Sequence, residues 1–166
     1  MRNPQNDEFF PMTASGKKKL DEELDFLVKV ERERLKVVIA EARAQGDLKE
    51  NADYAAAKEK QAHVEGRILE LQFRTARCKV INVASIKSEK IVFGATVTLL
   101  HDEEDKEVTY TIVGADESNS KLGRISYTSP VAKALLGKEE GDEVIVKAPK
   151  GDVAYTIQEI KFVEIS

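Results

Sequence analysis

Two rows of apolar side chains stand on either side of one glycine, and together they restrict the possible folds more than any other feature of the chain. The first row runs Leu24, Val28, Leu35, Val38 and Ala42, with Glu31 interrupting it and Leu20, Leu27 and Ile39 widening one edge. The second runs Tyr54, Ala57, Gln61, Val64, Ile68, Leu71, Thr75 and Cys78. Steps that alternate between four and three are those of a helix burying one seam against a partner helix. Residues 17–44 contain no Pro or Gly, and Thr13 ahead of them is a good N-cap, because its hydroxyl accepts from a free N–H of the first turn. Between the rows lies QGDLKENADY, residues 45–54, with Gly46 as its only glycine. A turn there predicts two antiparallel helices of about 30 residues, each rising about 45 Å. Ala57, Gln61 and Thr75 make the second seam thin in places, and Gly66 weakens that helix by roughly 1 kcal/mol relative to Ala.

The pattern changes near Lys79. Residues 80–91 are β-branched and polar, a linker or first strand. Residues 92–100 and 107–114 read as strands around the acidic turn HDEEDKE, and 124–129 as a further short strand. Ser129 and Pro130 predict a helix start, and that helix ends at Gly137. The last two strands read as a hairpin across Lys150 and Gly151. The predicted fold is therefore α+β. Residues 1–12 are a frayed leader, with Phe9 and Phe10 its exception. Residues 13–78 form an antiparallel coiled-coil hairpin with an acidic tip at 45–54. Residues 79–166 form a small antiparallel sheet domain with one short helix.

Composition narrows the function. Lys plus Arg number 26 against 30 Asp plus Glu, a net charge of −4, which argues against general coating of nucleic acid. A charged fraction of 34% with only 6% aromatics suits long solvated helices better than one large core. A single cysteine, Cys78, excludes an intramolecular disulfide, and no apolar run has signal-peptide or membrane-spanning length. The expectation is a soluble cytoplasmic protein.

The stretch 45–54 carries the candidate chemistry. Asp47 and Glu50 stand three apart, a spacing at which two carboxylates can share a cation. The same spacing forms a capping box, and spacing alone favours the cap. Two carboxylates are too few for a dedicated metal cage, since Mg²⁺ held by one or two needs further ligands from water or phosphate. Asp53 is a third acid nearby. His63, His101 and Cys78 have no partners at metal-ligand spacing, and no phosphate loop or hydrolase motif occurs. Of the basic residues along the helices, most are interleaved with acids at i+3 and i+4. Arg43 and Lys58 differ, because they flank the tip and could meet a phosphate backbone there.

The motifs GDLKENADY, PMT at 11–13, IVFGATVTLL and ISYTSPVAKALLGKEEGDEV resemble the bacterial GreA-type transcript cleavage factors, in register from about Pro11 onward. The resemblance implies an N-terminal coiled coil and a C-terminal domain similar to FKBP-type prolyl isomerases, in fold and not in activity. It implies binding to bacterial RNA polymerase as a monomer, with the coiled coil inserted in the secondary channel, where the extruded RNA 3′ end of a backtracked complex lies. It implies no cofactor of the protein's own: Asp47 and Glu50 would complete the shell of a second Mg²⁺ in the polymerase active site, and the polymerase would cut the transcript. It implies RNA contacts for Arg43 and Lys58, a supporting place at most for Asp53, and docking on polymerase through Ser126, Ser129 and Pro130. Relatives of this shape that enter the channel and inhibit without cleavage are the competing expectation, and a stand-alone isomerase is a third. Residues 17–77 hold 13 acids against 14 bases, which favours the GreA type over the more basic GreB type.

Overall fold

The computed structural model describes residues 9–46 and 51–166. The chain divides into two compact units, Lys17–Cys78 and a second made of Met1–Gly16 with Lys79–Ser166.

The first unit is a helical hairpin. Helix α1 (Ala14–Phe26) begins directly after Thr13, as the cap predicts, and enters the unit at Lys17. The uninterrupted helix expected over 17–44 is broken by one π turn, Leu27–Glu31, after which α2 (Arg32–Ala44) resumes the α form. The insertion falls where Glu31 displaces an apolar residue from the seam, and π turns of this kind occur as single-turn bulges within α-helices. Gly46 follows the C-cap Gln45 with φ of 126°, a conformation open to glycine and costly for other residues. The return helix α3 (Ala52–Ala76) is continuous through Gly66. Its N-cap is Asn51, and the capping box that spacing suggests for Asp47 and Glu50 lies outside the described residues. The arms run antiparallel, because Glu23 pairs with Arg67, Arg32 with Glu65, and Arg43 with Tyr54. Leu35, Ile39 and Ala42 are buried on α2, and Ala57, Val64, Ile68 and Leu71 on α3.

In the second unit, the leader expected up to Met12 is shorter than that. Phe10–Thr13 form strand β1, paired with β2 (Cys78–Ile81), and Met12 is buried. Residue 9 is exposed, and residues 1–8 lie outside those described. The expected Thr13 cap is present, its hydroxyl accepting from the Gly16 amide at 3.1 Å. The same hydroxyl donates to Glu117, whose carboxylate also accepts from the amides of Thr13 (3.2 Å) and Gly114 (3.0 Å). A Cβ at position 16 would run into that carboxyl group, which explains a glycine inside a helix.

The main sheet has the order β5-β4-β3-β7-β6, from β3 (Thr96–His101), β4 (Lys106–Val113), β5 (Arg124–Ser126), β6 (Glu143–Ala148) and β7 (Gly151–Lys161). It is mixed rather than wholly antiparallel: β5 runs parallel to β4, because residues 114–123 carry the chain back through two short 3₁₀ turns. Helix α4 (Pro130–Leu135) places Ala132 and Leu135 on a core of Ile91, Ala95, Val97, Leu99, Ile112, Val144 and Ile157. The fold class is α+β, as the sequence predicts.

Leu71 and Ile68 are 0% and 1% exposed, the most deeply buried side chains of α3. Leu71→Ala should cost about 2–5 kcal/mol, and the midpoint of denaturant unfolding followed by helical circular dichroism checks it.

Candidate functional site at the turn end of the hairpin

The end of the hairpin is built from the last turn of α2 and the first turn of α3. Asn51 joins them. Its Oδ1 accepts from the Tyr54 amide at 3.0 Å, capping α3, and its Nδ2 donates to the Ala42 carbonyl at 2.6 Å. Tyr54, one turn into α3, receives the Arg43 side chain: Nη2 lies 3.4 Å from the phenol oxygen and the guanidinium stands 5.7 Å from the ring centroid. That cation holds the Tyr54 phenol below its usual titration range. Just below, Ala42, Ala56 and Ala57 leave a groove of about 380 Å³, lined also by Leu35, Val38, Arg34 and Lys60.

Most cations of the hairpin are neutralised. Arg32 makes paired hydrogen bonds to Glu65 across the arms, and Arg67 does the same with Glu23 at 2.7 and 2.9 Å. Glu31 accepts from Arg34 on its own arm and meets Lys60 of the other at 3.3 Å. Arg43 and Lys58 meet no carboxylate among the described residues. Arg43 rests on Tyr54, and Lys58 donates to Gln61 at 3.0 Å. The two positions singled out for RNA are thus ones where positive charge is left uncompensated within the described chain.

The structure brings Arg43 against α3, and it gives Asp53 an exposed place in the first turn of that helix, where a carboxylate suits the helix dipole. Asp47 and Glu50, the expected catalytic and metal-holding pair, lie outside the described residues. Asn51 and Tyr54 are the residues that sequence reasoning passed over as functional. The available signal was local, an asparagine directly ahead of a helical row with Tyr54 three residues on.

Ser126, Ser129 and Pro130 belong to the sheet unit. The Ser126 hydroxyl lies 2.7 Å from that of Thr128 and accepts from the Thr128 amide, Ser129 caps α4 by accepting from Ala132 N at 3.2 Å, and Pro130 is exposed at the first helical position. Tyr127 packs edge-on against Phe93, with ring centroids 6.0 Å apart, so the loop's hydroxyls sit on an ordered backbone. Tyr110, Tyr127, Tyr155 and Phe162 pack against the core cluster.

A long helical hairpin with cross-arm ion pairs, joined in sequence to a small mixed sheet, defines a two-unit α+β protein whose distinctive end is the turn between its arms. The family descriptions "Transcription elongation factor, N-terminal" and "Transcription elongation factor, GreA/GreB, C-term" match residues 10–80 and 86–162, and the chain belongs to the GreA/GreB family of transcription elongation factors. It is 52% identical to transcription elongation factor GreA of Alkalilimnicola ehrlichii over 153 residues, 92% of this chain and 97% of that one. It is 51% identical to GreA of an Anaeromyxobacter species over 93% of each chain. Among solved structures, the GreA factor homolog Gfh1 of Thermus thermophilus matches with a TM-score of 0.43 and 24% identity, over 93% of this chain and 99% of that one. The resemblance read in the motifs is borne out. Among the described residues no helix is long and apolar enough to cross a membrane.

The ion pairs carry a pH dependence. Arg67 holds the Glu23 carboxyl below its usual range, Arg32 does so for Glu65, and Arg34 followed by Lys60 brings Glu31 down to about 2. Carboxylates depressed in this way stabilise the fold above the ordinary value of about 4.3, and the contribution is lost as pH falls through their folded values. The melting midpoint of the hairpin, followed by circular dichroism, should be lower at pH 2 than at pH 5, and Glu31→Gln should remove part of that difference.

Proposed function

We propose that this chain is a transcript cleavage factor of the GreA type, which enters the secondary channel of bacterial RNA polymerase hairpin first and stimulates cleavage of backtracked RNA. The carrying observation is the segment GDLKENADY placed between two arms in a chain about half identical to curated GreA factors. Asp47 and Glu50 are the residues assigned to the reaction. Their oxygens are hard donors suited to Mg²⁺, and two carboxylates leave most of an octahedral shell to polymerase side chains, RNA phosphate and water. Within that complex the ion would supply charge stabilisation for the attacking water and the departing 3′ oxygen. The protein's own part is to deliver the two carboxylates, orient the water that attacks the phosphodiester, and steer the extruded RNA with Arg43 and Lys58. This division of labour makes the polymerase the enzyme and gives the factor no cofactor of its own.

Support for Arg43 and Lys58 comes from charge, since neither is spent on a carboxylate among the described residues. Ser126, Ser129 and Pro130 are assigned to docking on the channel rim. The ordered Ser126–Thr128 hydroxyl pair and the exposed Pro130 favour that use. The factor works as a monomer in the bacterial cytoplasm under this reading.

The test uses a stalled, backtracked polymerase complex with labelled RNA and Mg²⁺. The chain should release short 3′-proximal fragments only when polymerase is present. Asp47→Asn and Glu50→Gln should each abolish release while still competing for the channel. Full activity in both variants would sink the tip assignment. Slowed elongation with no fragments from the unaltered protein would mark a channel inhibitor instead.

A further inference from the structure

Resting on that reading of Arg43, we propose that Asn51 is the positioning residue of the hairpin's turn end, acting through Tyr54 to hold Arg43 in one orientation. Its amide does two jobs with opposite chemistry. Oδ1 accepts from the Tyr54 amide, a free N–H of the first turn of α3, while Nδ2 donates to the Ala42 carbonyl in the last turn of α2. Any of Ser, Thr, Asp or Asn can cap a helix. Of these only Asn also presents an N–H donor, so the cap alone does not account for the residue type. The Ala42 carbonyl already accepts from Gln45 N at 3.3 Å, and Asn51 takes its second lone pair.

The connection continues beyond the cap. Tyr54 has its backbone held by Asn51 and sends its ring to Arg43, the covalent neighbour of Ala42. Ala42, Asn51, Tyr54 and Arg43 therefore close a ring across the two arms. The apolar seam carries only small side chains nearest the turn, where Ala42, Ala56 and Ala57 line an open groove, and these polar links add to the tie between the arms there. The phenol contact is long at 3.4 Å, which leaves the ring face to guide the guanidinium as much as the hydroxyl does. An arginine held in this way meets a phosphate without first losing side-chain freedom.

The experiment combines Asn51→Ser, which keeps a capping hydroxyl and loses the amide donor, with Tyr54→Phe, which keeps the ring and the helix. The first readout is the titration of Tyr54 in the full-length free protein, followed by NMR of tyrosines labelled at Cζ. Arg43 holds that phenol low, so its midpoint should move up in Asn51→Ser. The second is cleavage by the backtracked complex as a function of factor concentration. In Asn51→Ser the maximal rate should fall by about tenfold, with the half-saturating concentration unchanged within about twofold. Tyr54→Phe should lower the maximal rate in the same direction. Adding Arg43→Ala to Asn51→Ser should lower it no further than Arg43→Ala alone. An unmoved Tyr54 midpoint, a wild-type maximal rate in Tyr54→Phe, or losses that multiply with Arg43→Ala would each overturn the proposal. If the unaltered protein releases no fragments, the cleavage reading falls, and the Tyr54 midpoint by itself decides whether Asn51 is the clamp.

Discussion

Mutual burial of one seam from each arm is the interaction on which the hairpin depends. Two helices in contact have no third layer to cover them, so each buried side chain contributes a large share. Leu35, Ile68 and Leu71 are essentially inaccessible, and each such burial is worth roughly 1.5–3 kcal/mol. The seam is uneven. Leu35, Val64 and Ile68 form one buried cluster with Leu24, Leu27 and Val28 against it, whereas only the small side chains of Ala42 and Ala57 stand beside the turn. Cross-arm ion pairs, Arg32 with Glu65 and Arg67 with Glu23, add registry more than energy, because they are partly exposed and screened. At the thin end, Asn51 and the Arg43–Tyr54 contact take over the task of holding the arms together.

The sheet unit obeys a different economy. Its core is contiguous, with alternate residues of β3 and β6 pointing inward and α4 laid over them. The N-terminal strand is secured to this unit by one carboxylate, Glu117, which gathers two donors from Thr13 and one from Gly114. A charged acceptor saturated with hydrogen bonds is strong in a partly buried place, and losing any of its donors leaves a costly group. Together with pairing to β2, these bonds hold Phe10–Thr13, residues with no periodicity of their own, as a strand.

Much of the fold was legible beforehand, and the reasons lie in particular residues. Every member of the second row from Tyr54 to Thr75 is buried or half-buried on α3, because a step of four and three can be satisfied only by one helical face, whereas Cys78, expected to continue the row, opens strand β2 instead. Ser129 and Pro130 begin α4 as their local chemistry requires. The π turn at Leu27–Glu31 was not legible, because the segment LVKVE contains neither Pro nor Gly to mark an interruption. The part of Asn51 was not legible, because an asparagine ahead of a helix reads as a plain cap and its second bond requires knowing where the Ala42 carbonyl lies. The direction of β5 was likewise hidden, since a strand three residues long reads the same either way.

The sequence by itself determined the helical hairpin, the turn at Gly46, the acidic segment between the arms and, through its motifs, the GreA/GreB family, because periodicity, turn chemistry and motif spacing are local properties of the chain. Only the tertiary structure decided that Asn51 bridges the arms, that Tyr54 receives Arg43 and that Glu117 anchors Thr13. Those partners lie between 9 and 104 residues apart in sequence. Their hydrogen bonds exist only after burial of the seam and the sheet core has brought distant backbone and side-chain groups within about 3 Å.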